Sequence, residues 1–166
     1  MEGSLIEDIV RNARFPDQPD QVQLLNQLET APNLDDDYAD RIQGYLCPPQ
    51  SAEYTFWIAG DDQSQLWLSS DNTPTKTQLI ASVSDWTYYQ EWDKFAEQRS
   101  EPILLTANQA YYFEILHKES INDDNLSVAW QAASFGRQVI SGRYLVPYAD
   151  NLPPPENKLY LPLVSH

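Results

Sequence analysis

A single cysteine, Cys47, is all that the 166 residues contain. No internal disulfide can brace the fold, and no thiolate-rich zinc site can be assembled. Histidine is almost as scarce: His117 and the terminal His166 are the only two, and they do not suggest a zinc pair. Basic residues are few, with 10 Lys and Arg against 25 Asp and Glu, which leaves a net charge of −15 and a pI near 4.2. That balance repels phosphate backbones and anionic membrane faces, so nucleic acid is excluded as a natural partner. No run of roughly 18 apolar residues is present, which excludes insertion of a helix into a bilayer. There is no Gly-rich phosphate loop, Ser elbow or Cys–His dyad. The opening residues, Met1 to Glu7, lack the basic stretch and apolar core of a signal peptide. Either the protein stays inside the cell, or it is a segment of a longer exported chain.

What is present is globular. Hydrophobic residues make up 42% and aromatics 12%, and this length suits one core better than two. Residues 1–40 are polar, carry Pro16, Pro19 and Pro32, and read as a loop-rich arm with one short helical candidate at 21–28, where Val22, Leu25 and Leu28 share a side. From Arg41 the texture changes to short alternating runs broken by turn residues, the pattern of a sandwich or barrel. Strands are expected at 41–46, 54–59, 66–68, 78–83, 102–105, 111–117 and 126–131, with an edge strand at 143–146. No stretch after residue 40 holds helical spacing for three turns, so the fold class is all-β, an antiparallel β-sandwich of jelly-roll type. Residues 1–148 form the expected domain. Residues 149–166, with Pro153, Pro154, Pro155 and Pro162, read as an extended tail or linker. Trp67 and Trp130 are expected in the core. The loop from Trp86 to Trp92 is the better candidate for stacking against a ring.

Two loops are rich in oxygen donors. Gly60-Asp61-Asp62-Gln63 stands between two strands and reads as a hairpin tip presenting two carboxylates, although a plain solvated turn uses the same residue types. The stretch from His117 to Asn125 is a second acidic connection. Calcium takes six to eight oxygens, which usually requires two converging loops, and these two are able to supply them. Neither has EF-hand spacing. Asp35-Asp36-Asp37 with Asp40 fails that spacing too and reads as a solvated connection. A glycosidase pair needs two acids facing across a cleft about 5 to 10 Å wide, which neighbours at a hairpin tip do not provide.

The run Tyr54-Thr55-Phe56-Trp57-Ile58-Ala59-Gly60-Asp61-Asp62-Gln63-Ser64-Gln65-Leu66-Trp67-Leu68 resembles the core signature of the protective-antigen (PA-fourteen) domain: a strand, a double Asp, then a Leu-Trp strand. Phe15-Pro16-Asp17-Gln18-Pro19-Asp20 resembles its proline-bearing first segment. Ser84-Asp85-Trp86 with Glu91-Trp92-Asp93-Lys94 resembles its middle loop, and Tyr111 to Glu119 followed by Asp124 to Gln131 its last strand pair. The likeness runs over about residues 10–148 and consists of several motifs in order, which is more specific than one pattern.

The resemblance implies a non-catalytic, calcium-dependent carbohydrate-binding module, monomeric in itself and part of a larger extracellular or cell-surface chain. It implies a cis peptide between Asp61 and Asp62, which hold calcium by their side chains. A later loop completes the shell with the Glu119 side chain and carbonyls near Ile121 and Asp123. Sugar contacts are expected at Asp61, Asp62, Asp124 and Trp86. The absence of paired cysteines suggests a bacterial-type adhesin module. Where bacterial members run several glycines, this chain has Ser120-Ile121-Asn122-Asp123, which leaves open a spacer or protein-interaction unit of the same fold. Two carboxylates side by side repel until a divalent cation binds. Two vicinal sugar hydroxyls can then replace waters on that ion, so single-site affinity is expected to be weak and useful binding multivalent.

Overall fold

The alternating run around Tyr54 forms the long strand on which the rest of the fold is arranged. In a computed structural model that describes residues 3–34, 36–148 and 163–165, it spans Ala52–Asp61 (β3). The other elements, in order, are α1 (Ile6–Arg11), β1 (Val22–Leu24), β2 (Ala39–Leu46), β4 (Ser64–Ser69), β5 (Thr77–Val83), β6 (Ile103–Leu105), β7 (Tyr111–Lys118), β8 (Asn125–Ala132), β9 (Phe135–Val139), β10 (Leu145–Pro147) and β11 (Leu163–Ser165). They make two antiparallel sheets, ordered β1-β11-β2-β7-β4-β5, with β10 also on β2, and β6-β3-β8-β9. This is the all-β sandwich that the alternation implied. The inward faces bury Ile42, Leu46, Tyr54, Phe56, Ile58, Leu66, Leu68, Phe113, Ile115, Leu126, Val128 and Trp130 in one core. Each such side chain contributes about 1.5 to 3 kcal/mol when taken fully out of water.

β3 is buried on both faces, more than a half-solvated strand would be. Beyond its short pairing with β6, its free edge is covered by the segment 84–100: Ser100 N donates to Phe56 O, Gln98 Nε2 to Ile58 O, and Thr87 N to Gly60 O. A loop thus does the work of an edge strand, which protects backbone groups that would otherwise invite pairing.

Three expectations need correction. The segment at 21–28 is not helical. Val22 and Leu24 are exposed and lie in β1, paired to β11, while Leu28 is buried in the core and Leu25 packs against it half-buried. Three apolar residues in two turns cannot offset helix nucleation. The helix falls earlier, at α1, where Ile6 and Ile9 pack on Ala39 and Leu116. Trp67 is half-buried on the outer face, because Leu66 and Leu68 take the inward positions beside a register shift at 66/67. The strand expected at 143–146 starts two residues later, as β10 on β2, because Gly142–Tyr144 forms a 3-10 turn before it. Of the expected tail, residues 149–162 and 166 lie outside the described residues, while β11 pairs with both β1 and β2. Among the described residues no helix is long and apolar enough to cross a membrane.

Candidate metal centre

β3 and β4 meet in the tight turn Asp61-Asp62-Gln63, and the two acids are joined by a cis peptide. The turn is gripped on each side. Asn125, the first residue of β8, pairs with Asp61 and donates its Nδ2 to the Thr87 carbonyl at 2.9 Å. Thr87 Oγ1 accepts from Gly60 N at 2.9 Å and lies 3.2 Å from the Gly60 carbonyl, to which it donates. Trp86 bridges to Asp61 through its backbone. From β7, the Lys118 carbonyl accepts from Asp62 N at 2.8 Å and Lys118 N donates to Gln63 O at 3.0 Å. Gly60 lets the two strands close tightly here, since a Cβ would stand 2.1 Å from Ser64 Oγ and force that side chain to shift.

Directly after β7 comes Glu119. Its carboxylate, with those of Asp61 and Asp62, offers one oxygen each to a group within 4.8 Å of one another. Glu119 is 0% exposed, and neither of its carboxylate oxygens has a hydrogen-bond partner. An unpaired buried carboxylate is costly unless a proton or cation compensates it. Burial, then Asp61 and Asp62, push the Glu119 carboxyl up to about 8. Burial, then Asp62, push Asp61 up to about 6. Asn125 Oδ1 is also buried without a partner. The donor set is all hard oxygen, carboxylate with amide, with no thiolate, which fits calcium and does not fit the softer metals. The residues present therefore suit the expected ion.

The second loop comes to the same place. Ile121 is 61% exposed and Asp123 is exposed, and neither carbonyl accepts a hydrogen bond from another described residue. Asp123 is close enough to contribute to the rise of Asp61. Asp124, expected at a sugar contact, is 1% exposed, and its carboxylate accepts from Leu34 N at 2.6 Å, which braces the loop from within. Trp86 is half-buried; Lys94 Nζ lies 3.1 Å from its ring centroid and donates to its carbonyl, so one face of the indole is already covered.

The acidic run before β2 is not the plain solvated connection that was expected. Asp36 Oδ1 accepts from Asn122 N, and Asp37 N donates to the Ser120 carbonyl, so these residues clamp the second loop; Asp35 lies outside the described residues. Asp40 is fully buried beside His117, whose Nε2 stands 2.7 Å from the Asp61 carbonyl. Burial alone would lower the His117 pKa, but Asp40, with the Asp61 carbonyl and Glu119, outweighs it and holds the value above the ordinary range. Sequence reasoning assigned no role to His117, Asp40 or Thr87. Nothing local in the sequence marks them, because each reaches the hairpin tip from a different element.

Fold and site together define a two-sheet antiparallel sandwich with a carboxylate cluster at one hairpin tip. The PA14 domain family model matches residues 20–139, and the chain belongs to that family. It is 33% identical over 171 residues to the mouse N-acetyl-beta-glucosaminyl-glycoprotein 4-beta-N-acetylgalactosaminyltransferase 1. The match takes in 99% of this chain but only 16% of that relative's length. That relative is a mouse protein, which lends no support to the bacterial-type origin that was expected from the missing cysteine pairs. Among solved structures, an anti-sigma factor domain-containing protein superposes with a TM-score of 0.62 at 20% identity, covering 82% of this chain and 46% of its own. The Epithelial Adhesin 6 A domain of Candida glabrata, solved with Galb1-3GlcNAc, superposes with a TM-score of 0.52 at 16% identity, covering 66% of this chain and 50% of its own. At these identities the structural matches establish the fold.

Proposed function

We propose that this chain is a calcium-dependent carbohydrate-binding module of a larger extracellular protein, monomeric in itself and without catalysis of its own. The observation that carries the proposal is Glu119, buried with both oxygens unpartnered and gathered with Asp61 and Asp62 within 4.8 Å. Asp61, Asp62 and Glu119 would hold the ion, with the exposed Ile121 and Asp123 carbonyls at the open side. A calcium ion bound there supplies coordination positions that two vicinal sugar hydroxyls can occupy. This chain's own residues do the rest. The clamp made by Asn33, Leu34, Asp36 and Asp37 fixes the second loop, and Trp86 with Lys94 forms one wall beside Asp61. The adhesin domain solved with Galb1-3GlcNAc supports a glycan partner on this fold, and the glycosyltransferase relative supports a module that serves a larger chain.

A glycan array probed with and without calcium tests the proposal. Binding that requires calcium and is lost in Asp62→Ala is expected. Binding of no glycan, with calcium still raising the Tm, would favour a structural spacer, to which the bulky Ser120 to Asp123 stretch would then belong.

A further inference from the structure

His117 contributes no ligand, yet it forms the floor of the site. It is fully buried near the end of β7, and its Nε2 lies 2.7 Å from the backbone carbonyl of Asp61. A carbonyl can only accept, so Nε2 carries the hydrogen and Nδ1 faces away. On that side stands the Asp40 carboxylate, 3.7 Å from Nδ1, an electrostatic contact rather than a hydrogen bond. Asp40 is equally buried and sits directly opposite His117 in the β2–β7 register. The Tyr38 ring packs edge-on against the imidazole at 5.8 Å, and Ser64 of β4 stands opposite His117 on its other flank. The ring is thus held by three strands or their ends and has one polar target.

That target is the peptide unit between the two acids. Its oxygen is bonded by His117 Nε2 and its nitrogen by the Lys118 carbonyl, so two consecutive residues of β7 fix both ends of one peptide plane. The orientation of that plane decides where the Asp61 and Asp62 side chains start from. Residues that orient the donors of a metal site matter nearly as much as the donors themselves. The structure assigns His117, seated by Asp40, as the positioning residue for the Asp61–Asp62 pair. The assignment rests on the calcium reading above and names a residue that it does not require.

Calcium titration of the full chain by calorimetry, with the metal-free Tm measured alongside, tests it in native protein, His117→Gln and His117→Phe. The Gln amide can offer an N–H where Nε2–H stood, and Phe cannot. His117→Phe is expected to weaken calcium binding about 10- to 100-fold, and His117→Gln to retain most of the affinity, although both lower the metal-free Tm to a similar degree. If His117→Phe does not fold, Asp40→Asn serves in its place, with a smaller loss of affinity expected and the ring retained. The inference is overturned if His117→Phe, or Asp40→Asn where it stands in, binds calcium as native protein does, or if His117→Gln loses as much affinity as His117→Phe. Native protein that binds no calcium overturns the calcium reading itself, and this assignment with it.

Discussion

Glu119 sits in a fully buried position with Asp61 and Asp62 facing it, and that determines how the metal-free protein responds to pH. Its folded pKa of about 8 lies well above the value of about 4.3 for an unfolded glutamate. The stability from its neutral form is therefore complete below about pH 4.3 and is lost as pH rises through 8. Asp61, raised to about 6, acts in the same direction. In EDTA the Tm should fall between pH 5.5 and 8.5, and Glu119→Gln, which cannot ionise, should flatten that slope without lowering the Tm at pH 8. The same variant removes one charge from the donor set and should weaken calcium binding, since affinity follows the count of charged ligands. A Glu119→Gln protein that keeps both the native slope and the native calcium response would show that this carboxylate is not the one responsible.

At the scale of elements, the β3–β4 hairpin is tight because Gly60 lies against Ser64 and because Thr87, Asn125 and Lys118 take up the turn's backbone groups. Gly60→Ala drives a methyl into Ser64 and should cost about 1 to 3 kcal/mol in urea unfolding, part of it recovered by adding Ser64→Gly. Native stability in Gly60→Ala alone would mean that the close approach is unimportant. The strands themselves were legible in the sequence wherever one face alternated cleanly, as in β2, β3, β7 and β8. β9 was not, because only Phe135 and Val139 in it are even half-buried. The short helix was misplaced because Val22, Leu25 and Leu28 mimic helical spacing, whereas the tertiary contacts of Ile6 and Ile9 select the earlier turn. Trp67 shows the limit of reading aromatics as core. In a strand with Leu on either side, the pleat leaves it outside.

For the whole molecule, 25 acids against 10 bases produce repulsion that a divalent cation held at the proposed site would relieve in part. The double Asp and Glu119 were legible because they belong to a family signature that runs in order along the chain. Asp40, His117 and Thr87 were not, since their importance comes from strand pairing that brings distant segments to one tip. Asp124 is turned inward because its carboxylate accepts from Leu34 N, while its own backbone N donates to the Asn33 amide oxygen. The proposed function depends most on one object, an ion at that tip. A crystal structure of the protein grown in calcium tests it most directly. The expected result is an ion about 2.3 to 2.6 Å from oxygens of Asp61, Asp62 and Glu119. Ordered side chains around an empty tip, with millimolar calcium present, would contradict it.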